Sequence, residues 1–322
     1  MSNTCKEPKP PIAQCQCGGS CETTPIATKR GSVLLRCNGC GLIFVWPQPG
    51  PEALAGLYRM DAGCYQTAER NLAKTSPDEA RRLDELLTSV GMERGRLLDV
   101  GCATGSLIYH LWTLGWQVAG TDINADAVRI GARHGLDVRV GGLDDAPYEA
   151  ESFDVVHLGD VLEHLPRPRE ALRAATRLLR QGGLLVVRCP NGECGFARAT
   201  LGLSRRLSLG WPQSQAPYHL YEFSPAALRQ LAASTGFEVV RLDRWGRVPF
   251  WYMVGATGSF DGLKKALKEA GRPSRWWKLA LNGPKIFVVA ATLFPFWAWG
   301  TLYDFATGSG SGLRLVARRC NL

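Results

Sequence analysis

A doubly wound α/β core is the fold this sequence predicts, on three observations. Between residues 80 and 242, short apolar runs alternate with segments of helical period, the pattern of βα units around a parallel sheet. The first of these runs ends in an acid and a small-residue turn, Asp99-Val100-Gly101-Cys102-Ala103-Thr104-Gly105. Near the end of the chain, residues 313–318 alternate as a strand and predict an antiparallel partner for 238–242, so the sheet closes with a C-terminal antiparallel strand.

Strands are expected at 96–100, 117–121, 138–140, 153–158 and 184–188, with helices at 106–114, 125–134, 168–179 and 225–235. The start of the last helix is marked by Ser224 as an N-cap and Pro225 at the first helical position, and Gly236 ends it. The chain divides into a Cys-rich head (1–50), the α/β core (51–242), a basic and apolar insertion (243–311) and a final strand of the core sheet (312–322).

Composition narrows the class. With 45% hydrophobic and 21% charged residues in 322, the chain is globular rather than disordered. Its net charge of +9 directs attention to anionic partners. The N-terminus carries no apolar secretory core, so its eleven cysteines are expected as reduced thiols or metal ligands in a cytoplasmic protein.

The turn after 96–100 has the chemistry of a nucleotide-type loop: glycines let the backbone approach a ligand, and a helix start offers free N–H groups. A dinucleotide fingerprint would place Gly at positions occupied by Gly101, Ala103 and Ser106, and only one matches. Asp122, at the end of the second strand, is placed to hold both hydroxyls of a ribose.

These segments (LLDVGCATG, TDIN, SFDVVHLGDVLEHLPRP and LRQGGLLVVRCPN) resemble the class I S-adenosylmethionine (SAM)-dependent methyltransferases across residues 80–242. The resemblance implies a Rossmann-like sheet and SAM as cofactor. Asp99, Gly101, Cys102, Ala103 and Gly105 would cradle its methionine part, with Asp122 and neighbouring Ile123 at the ribose and Gly159 bordering the site. The family often meets adenine with an acid after the third strand; Gly stands there, leaving the Leu143 backbone or Asp144.

Asp160, Glu163 and His164 follow the fourth strand and border the reaction site. They resemble the E-x-x-E-H cluster with which ubiquinone-pathway O-methyltransferases hold a divalent cation; alternatively, Glu163 and His164 cap the turn and orient the strand. His219 precedes the 225–235 helix in a segment like one that faces the substrate cleft in related enzymes, so it is read as the catalytic base or as a scaffold of the cleft, with Tyr221 beside the substrate. Tyr58 and Tyr65 could fold over the cofactor from the lead-in segment.

In the head, Cys37-Asn38-Gly39-Cys40 is half of a zinc knuckle. Structural zinc on Cys17, Cys21, Cys37 and Cys40 is the expected arrangement, with Cys15 as substitute. The head resembles the ribbon-like segments that precede many bacterial methyltransferases of polysaccharide gene clusters. Cys102, Cys189 and Cys320 otherwise read as packing residues.

From 264 to 285 there are seven cations and one anion, and 286–303 then carries no charge but is interrupted by Pro295 and Gly300. A transmembrane span would strand the last strand on the wrong side of a bilayer, so an in-plane or re-entrant segment on anionic lipid is expected, or else a buried hairpin or dimer face. Nucleic acid is the less favoured anionic partner, since it has no need of the apolar run.

The sequence therefore points to a methyltransferase acting on O, N or C of a small or lipid-linked acceptor, such as a polysaccharide-pathway sugar or an isoprenoid or quinone precursor. It would work in the cytoplasm, peripheral to the inner face of the membrane. A non-catalytic SAM-binding or membrane-scaffold relative, or an RNA methyltransferase, is the competing expectation.

Overall fold

A computed structural model describes residues 15–16, 22–29, 32–50, 52–54, 77–207, 211, 214–247, 250 and 276–320. In chain order its elements are β1 (Thr23–Lys29), β2 (Ser32–Cys37), β3 (Ile43–Trp46), α1 (Pro77–Ser89), β4 (Arg96–Val100), α2 (Ser106–Thr113), β5 (Gln117–Asp122), α3 (Ala125–Arg133), β6 (Val138–Val140), β7 (Phe153–Gly159), α4 (Pro168–Leu178), β8 (Leu179–Pro190), α5 (Gly195–Leu207), β9 (Tyr221–Glu222), α6 (Pro225–Ala233), β10 (Phe237–Trp245), α7 (Trp276–Thr307) and β11 (Gly312–Arg319). A 3₁₀ turn, Leu162–His164, follows β7.

Seven strands form the main sheet in the order β10-β11-β8-β7-β4-β5-β6. The interior is parallel, and β11 lies antiparallel between β8 and β10. Apolar residues alternate between two cores because successive side chains leave opposite faces of a strand. Leu98, Val156, Leu185 and Leu315 meet α4 and α6, whereas Leu97, Val155, Val186 and Val316 meet α1 and α2.

The helix starts are set locally. Asn124 caps α3 by accepting from the N–H groups of Asp126 and Ala127, and Ser224 caps α6 by accepting from Ala227. The strand that the sequence predicts at 184–188 begins earlier, at Leu179, directly where α4 ends.

The head does not stand apart. β1, β2, β3 and the core strand β9 make one antiparallel sheet, with Ile43 opposite Glu222 and Phe44 opposite Tyr221. This sheet is buried on both sides: Leu35 and Phe44 join the main core, while Leu34, Ile43 and Val45 face α5, Trp211 and α7.

The 286–303 run lies within a single helix, α7, which continues through Pro295 and Gly300 where interruptions were expected. Its inward stripe includes Leu293, Gly300 and Asp304. A Cβ at Gly300 would sit 2.5 Å from Phe196 N, so the absence of a side chain lets α7 and α5 touch backbone to backbone. Asp304 reaches across this crossing and accepts from Gly195 N at 2.7 Å, capping α5 from another helix. Among the described residues, no helix is long and apolar enough to cross a membrane.

Candidate active site

The carboxyl end of the parallel sheet builds the first half of the site. Beyond β4, the chain turns through Gly101 (φ 72°), Ala103 (φ 49°) and Gly105 (φ 83°), all left-handed. Gly101 N and Cys102 N both donate to Thr121 O, tying the loop to β5. Asp122 completes the cradle: its Oδ2 accepts from Ala103 N at 2.9 Å and its Oδ1 from Asn124 N at 2.8 Å. Burial raises the Asp122 carboxyl above its ordinary range, against those two donors.

Beside Asp122, Ile123 and Val140 leave 62% and 53% of their surfaces exposed at the ends of β5 and β6. Two large apolar side chains flanking a fixed carboxylate suit a flat ring joined to a sugar diol. Asp99, in the same loop, is buried and accepts from His157 Nδ1 at 2.7 Å. Gly159 makes that pairing feasible, since a Cβ there would lie 2.6 Å from His157 Cε1.

The second half gathers after β7. His164 Nδ1 donates to Tyr218 O at 2.9 Å, which leaves Nε2 as the unprotonated nitrogen. Nε2 lies 4.0 Å from Glu163 Oε1, and the His164 and His219 rings meet edge to face with centroids 4.8 Å apart. Glu163 is buried with neither carboxylate oxygen hydrogen-bonded, and His219 Nδ1 is likewise unpartnered. Burial pushes Glu163 well above the usual carboxylate range. It lowers His164, and together with His164 it takes His219 down to about 3. All three groups therefore favour their uncharged forms.

A glycine-turned loop, a carboxylate fixed on the second strand and a polar cluster at the fourth strand together match one family. The Methyltransferase domain model covers residues 69–242, more than half of the sequence. The chain belongs to the class I SAM-dependent methyltransferases.

Among curated relatives, the ubiquinone biosynthesis O-methyltransferase of Xanthomonas oryzae pv. oryzae is 36% identical over 129 residues, 38% of this chain and 54% of its own. The same-named protein of Xanthomonas euvesicatoria pv. vesicatoria is 32% identical over 170 residues, 49% of this chain and 69% of its own. The chain thus spans about half the length of the first of these relatives. A solved SAM-dependent methyltransferase from Archaeoglobus fulgidus aligns with 80% of this chain and 100% of its own, at 16% identity and a TM-score of 0.46.

Within this methyltransferase, several expected site residues take other places. Asp160 does not join Glu163 and His164: its carboxylate is turned to Arg188, which holds it at 2.6 Å and also pairs with Glu79. His219 takes its place, so the group close enough to share an ion is Glu163, His164 and His219. Tyr221, expected beside the substrate, has its hydroxyl engaged within the protein. It is buried, accepts from Gln48 Nε2 and donates to Pro166 O, bracing the head against the core.

Leu143 is packed in the core, and the exposed Asp144 faces Arg167 at 3.9 Å. The Cys102 thiol is packed over Gly120, and burial raises it so that it stays protonated. Tyr58, Tyr65, Cys17 and Cys21 lie outside the described residues.

His157 and Arg188, which hold Asp99 and Asp160, are the neighbours of the candidate site that sequence reasoning missed. The signal for His157 was present: it interrupts the apolar run 155–158 of its strand, and β4 and β7 pair with Asp99 opposite His157. A cavity of about 130 Å³ beside His157 and Arg188 is also lined by Glu79, Trp245 and Arg314.

In the head, Cys15, Cys37 and Cys40 converge with all three sulfurs within 4.8 Å of one another. Cys40 N donates to Cys37 Sγ at 3.3 Å and Leu42 N to Cys40 Sγ at 3.4 Å. Gly41, at φ 76°, turns the chain between them. Backbone N–H groups aimed at sulfur suit thiolates, the form that binds zinc. Cys15, the substitute ligand of the sequence reading, thus stands in the cluster with Cys37 and Cys40.

Proposed function

We propose that this methyltransferase moves the methyl group of SAM to a hydroxyl oxygen of a small, apolar acceptor of the quinone-precursor kind. The observation that carries the reading is the meeting of Glu163, His164 and His219 at the carboxyl end of β7, beyond the loop that would hold SAM. The names of the ubiquinone-pathway relatives support the acceptor class.

Bound SAM supplies an already activated methyl on a sulfonium, so the chain must bind, orient and take a proton. Asp99, Gly101, Ala103 and Gly105 would hold the methionine part, Asp122 the ribose, and Ile123 and Val140 the adenine. His164 Nε2, the unprotonated nitrogen of the neutral ring, would accept the hydroxyl proton, with His219 packed against its ring. The O–CH₃ bond forms as the S–CH₃ bond breaks, and the proton remains on the cluster. One positive charge replaces another, so a resting cluster without charge suits the exchange.

A second reading rests on the two unpartnered oxygens of buried Glu163: with His164 and His219 they would accept a divalent cation, which would orient the acceptor oxygen. In the head, Cys15, Cys37 and Cys40 with a further thiol would hold structural zinc. Peripheral attachment to a membrane would bring a lipid-linked acceptor within reach.

Transfer from methyl-labelled SAM tests the reading, using an alkylated catechol, an aromatic amine and a nucleotide sugar as acceptors. Label in the catechol, reduced by His164→Gln without loss of S-adenosylhomocysteine binding, is the expected result. Label only in the amine or the sugar overturns it.

A further inference from the structure

Helix α7 is inverted relative to an ordinary surface helix. From Ile286 to Phe305 its sole charged residue is Asp304, and that residue is buried against α5. Its outward face is apolar: Phe294, Trp299, Leu302 and Phe305 expose 51%, 50%, 68% and 75% of their surfaces. Trp299 stacks on Tyr303 at 5.3 Å, while Arg198 lies over the Tyr303 ring and Arg247 over Phe305. Water is a poor solvent for such a face, and contiguous exposed apolar surface of this kind marks an interaction site.

We propose that the outward face of α7 docks on an anionic lipid surface. Charge selects this occupant. The 264–285 sequence leading into and opening α7 carries seven cations against one anion, a surplus of six from the chain's nine. An apolar helix face bearing Trp and Phe, continuous in sequence with a dense basic stretch and rimmed by Arg198 and Arg247, is the chemistry of an in-plane interfacial helix, with rings at the headgroup boundary and cations drawn to lipid phosphates. A second protein copy would supply the apolar contact but would bring the same net charge of +9 against its like. Nucleic acid would meet the charge but gain nothing from Leu302 and Phe305.

The inner face of α7 is packed into the rest of the protein. Leu293 shares an apolar cluster with Phe196 and Ala197 of α5 and with Trp211 and Ala216 of the segment leading to His219. Docking of α7 would thus fix the acceptor side of the methyltransferase relative to the lipid plane. The proposal does not depend on which atom is methylated.

The test is flotation of the full-length protein with phosphatidylcholine vesicles, with and without phosphatidylglycerol. The variant combines Trp299→Ser, Leu302→Ser and Phe305→Ser, all at exposed positions, and its S-adenosylhomocysteine binding and melting temperature report its folding. Wild-type protein is expected to float with the anionic vesicles and to be released by high salt. The triple variant should lose on the order of tenfold in partitioning while binding S-adenosylhomocysteine normally. Three results overturn the proposal: no flotation of wild type, equal flotation of the variant, or a wild-type dimer that ignores vesicles and dissociates in the variant. Methyl transfer is assayed separately in detergent, so failure of docking and failure of the acceptor assignment are distinguished.

Discussion

His157 and Asp99 sit opposite each other on neighbouring parallel strands, and Nδ1 of the one donates to Oδ1 of the other at 2.7 Å. Both are buried, so the bond fixes the carboxylate that begins the loop after β4. His157→Ala would leave that carboxylate without its donor, costing about 1–3 kcal/mol. We expect weaker S-adenosylhomocysteine binding by calorimetry and a lower melting temperature. Gly159→Ala should mimic both effects, since its Cβ would displace the His157 ring. Unchanged affinity in both variants would remove His157 from the site.

Asp122 accepts from Ala103 N and Asn124 N and would still have to meet the ribose. Asp122→Ala removes an acceptor from two backbone donors as well as from the ligand. A fall of about tenfold or more in S-adenosylhomocysteine affinity is expected, given about 1.5–3 kcal/mol for hydrogen bonds to a charged group. Full affinity in the variant would refute the ribose assignment.

The loop after β4 and its tie to the end of β5 were legible in the sequence because they are local. Asp99, Gly101, Gly105 and Asp122 lie at strand ends whose apolar runs are unmistakable. The cluster after β7 was read less well, because its partners come from distant segments. Asp160 and Glu163 have a helix-like spacing that suggests a shared ion, yet Asp160 has a left-handed backbone (φ 56°) and Arg188 from the next strand takes its carboxylate. The same holds for Tyr221, which a motif places at the substrate but whose hydroxyl bridges Gln48 and Pro166. The strands of the head were only partly visible, because β3 becomes an interior strand only once β9 pairs with it.

The α5–α7 crossing predicts where the fold is brittle. Gly300→Ala places a methyl against Phe196 N and should cost about 1–3 kcal/mol as overpacking. Asp304→Ala removes the acceptor for Gly195 N and should cost about 1 kcal/mol as a lost cap. Urea denaturation checks both, with Trp299→Ser, on the opposite face, expected near wild type.

The head predicts a metal dependence. Zinc should co-purify with the protein, and cobalt in its place should show thiolate-to-metal absorption that Cys37→Ser weakens. Absence of metal from wild-type protein purified without chelator would show the cysteines to be packing residues alone.

Asp84 gives a pH signature. Arg94 holds this carboxyl below its ordinary range by hydrogen bond and charge, aided by Trp116 Nε1 and opposed by partial burial. A carboxyl depressed in the folded state contributes stability that is present above its unfolded value, 3.8, and is lost as pH falls through the folded one. Asp84→Asn should therefore flatten the acid limb of melting temperature against pH below about 4. An unaltered acid limb would assign that loss to other carboxylates.

Because Tyr221 and Glu222 complete the head's sheet only two residues after His219, the head cannot be traded as a cassette. A replacement ribbon from another protein would have to present the same edge, with residues opposite Tyr221 and Glu222 where Phe44 and Ile43 stand now. Lineages of this chain should therefore inherit the head and the 219–222 segment together, even where the sheet between them diverges.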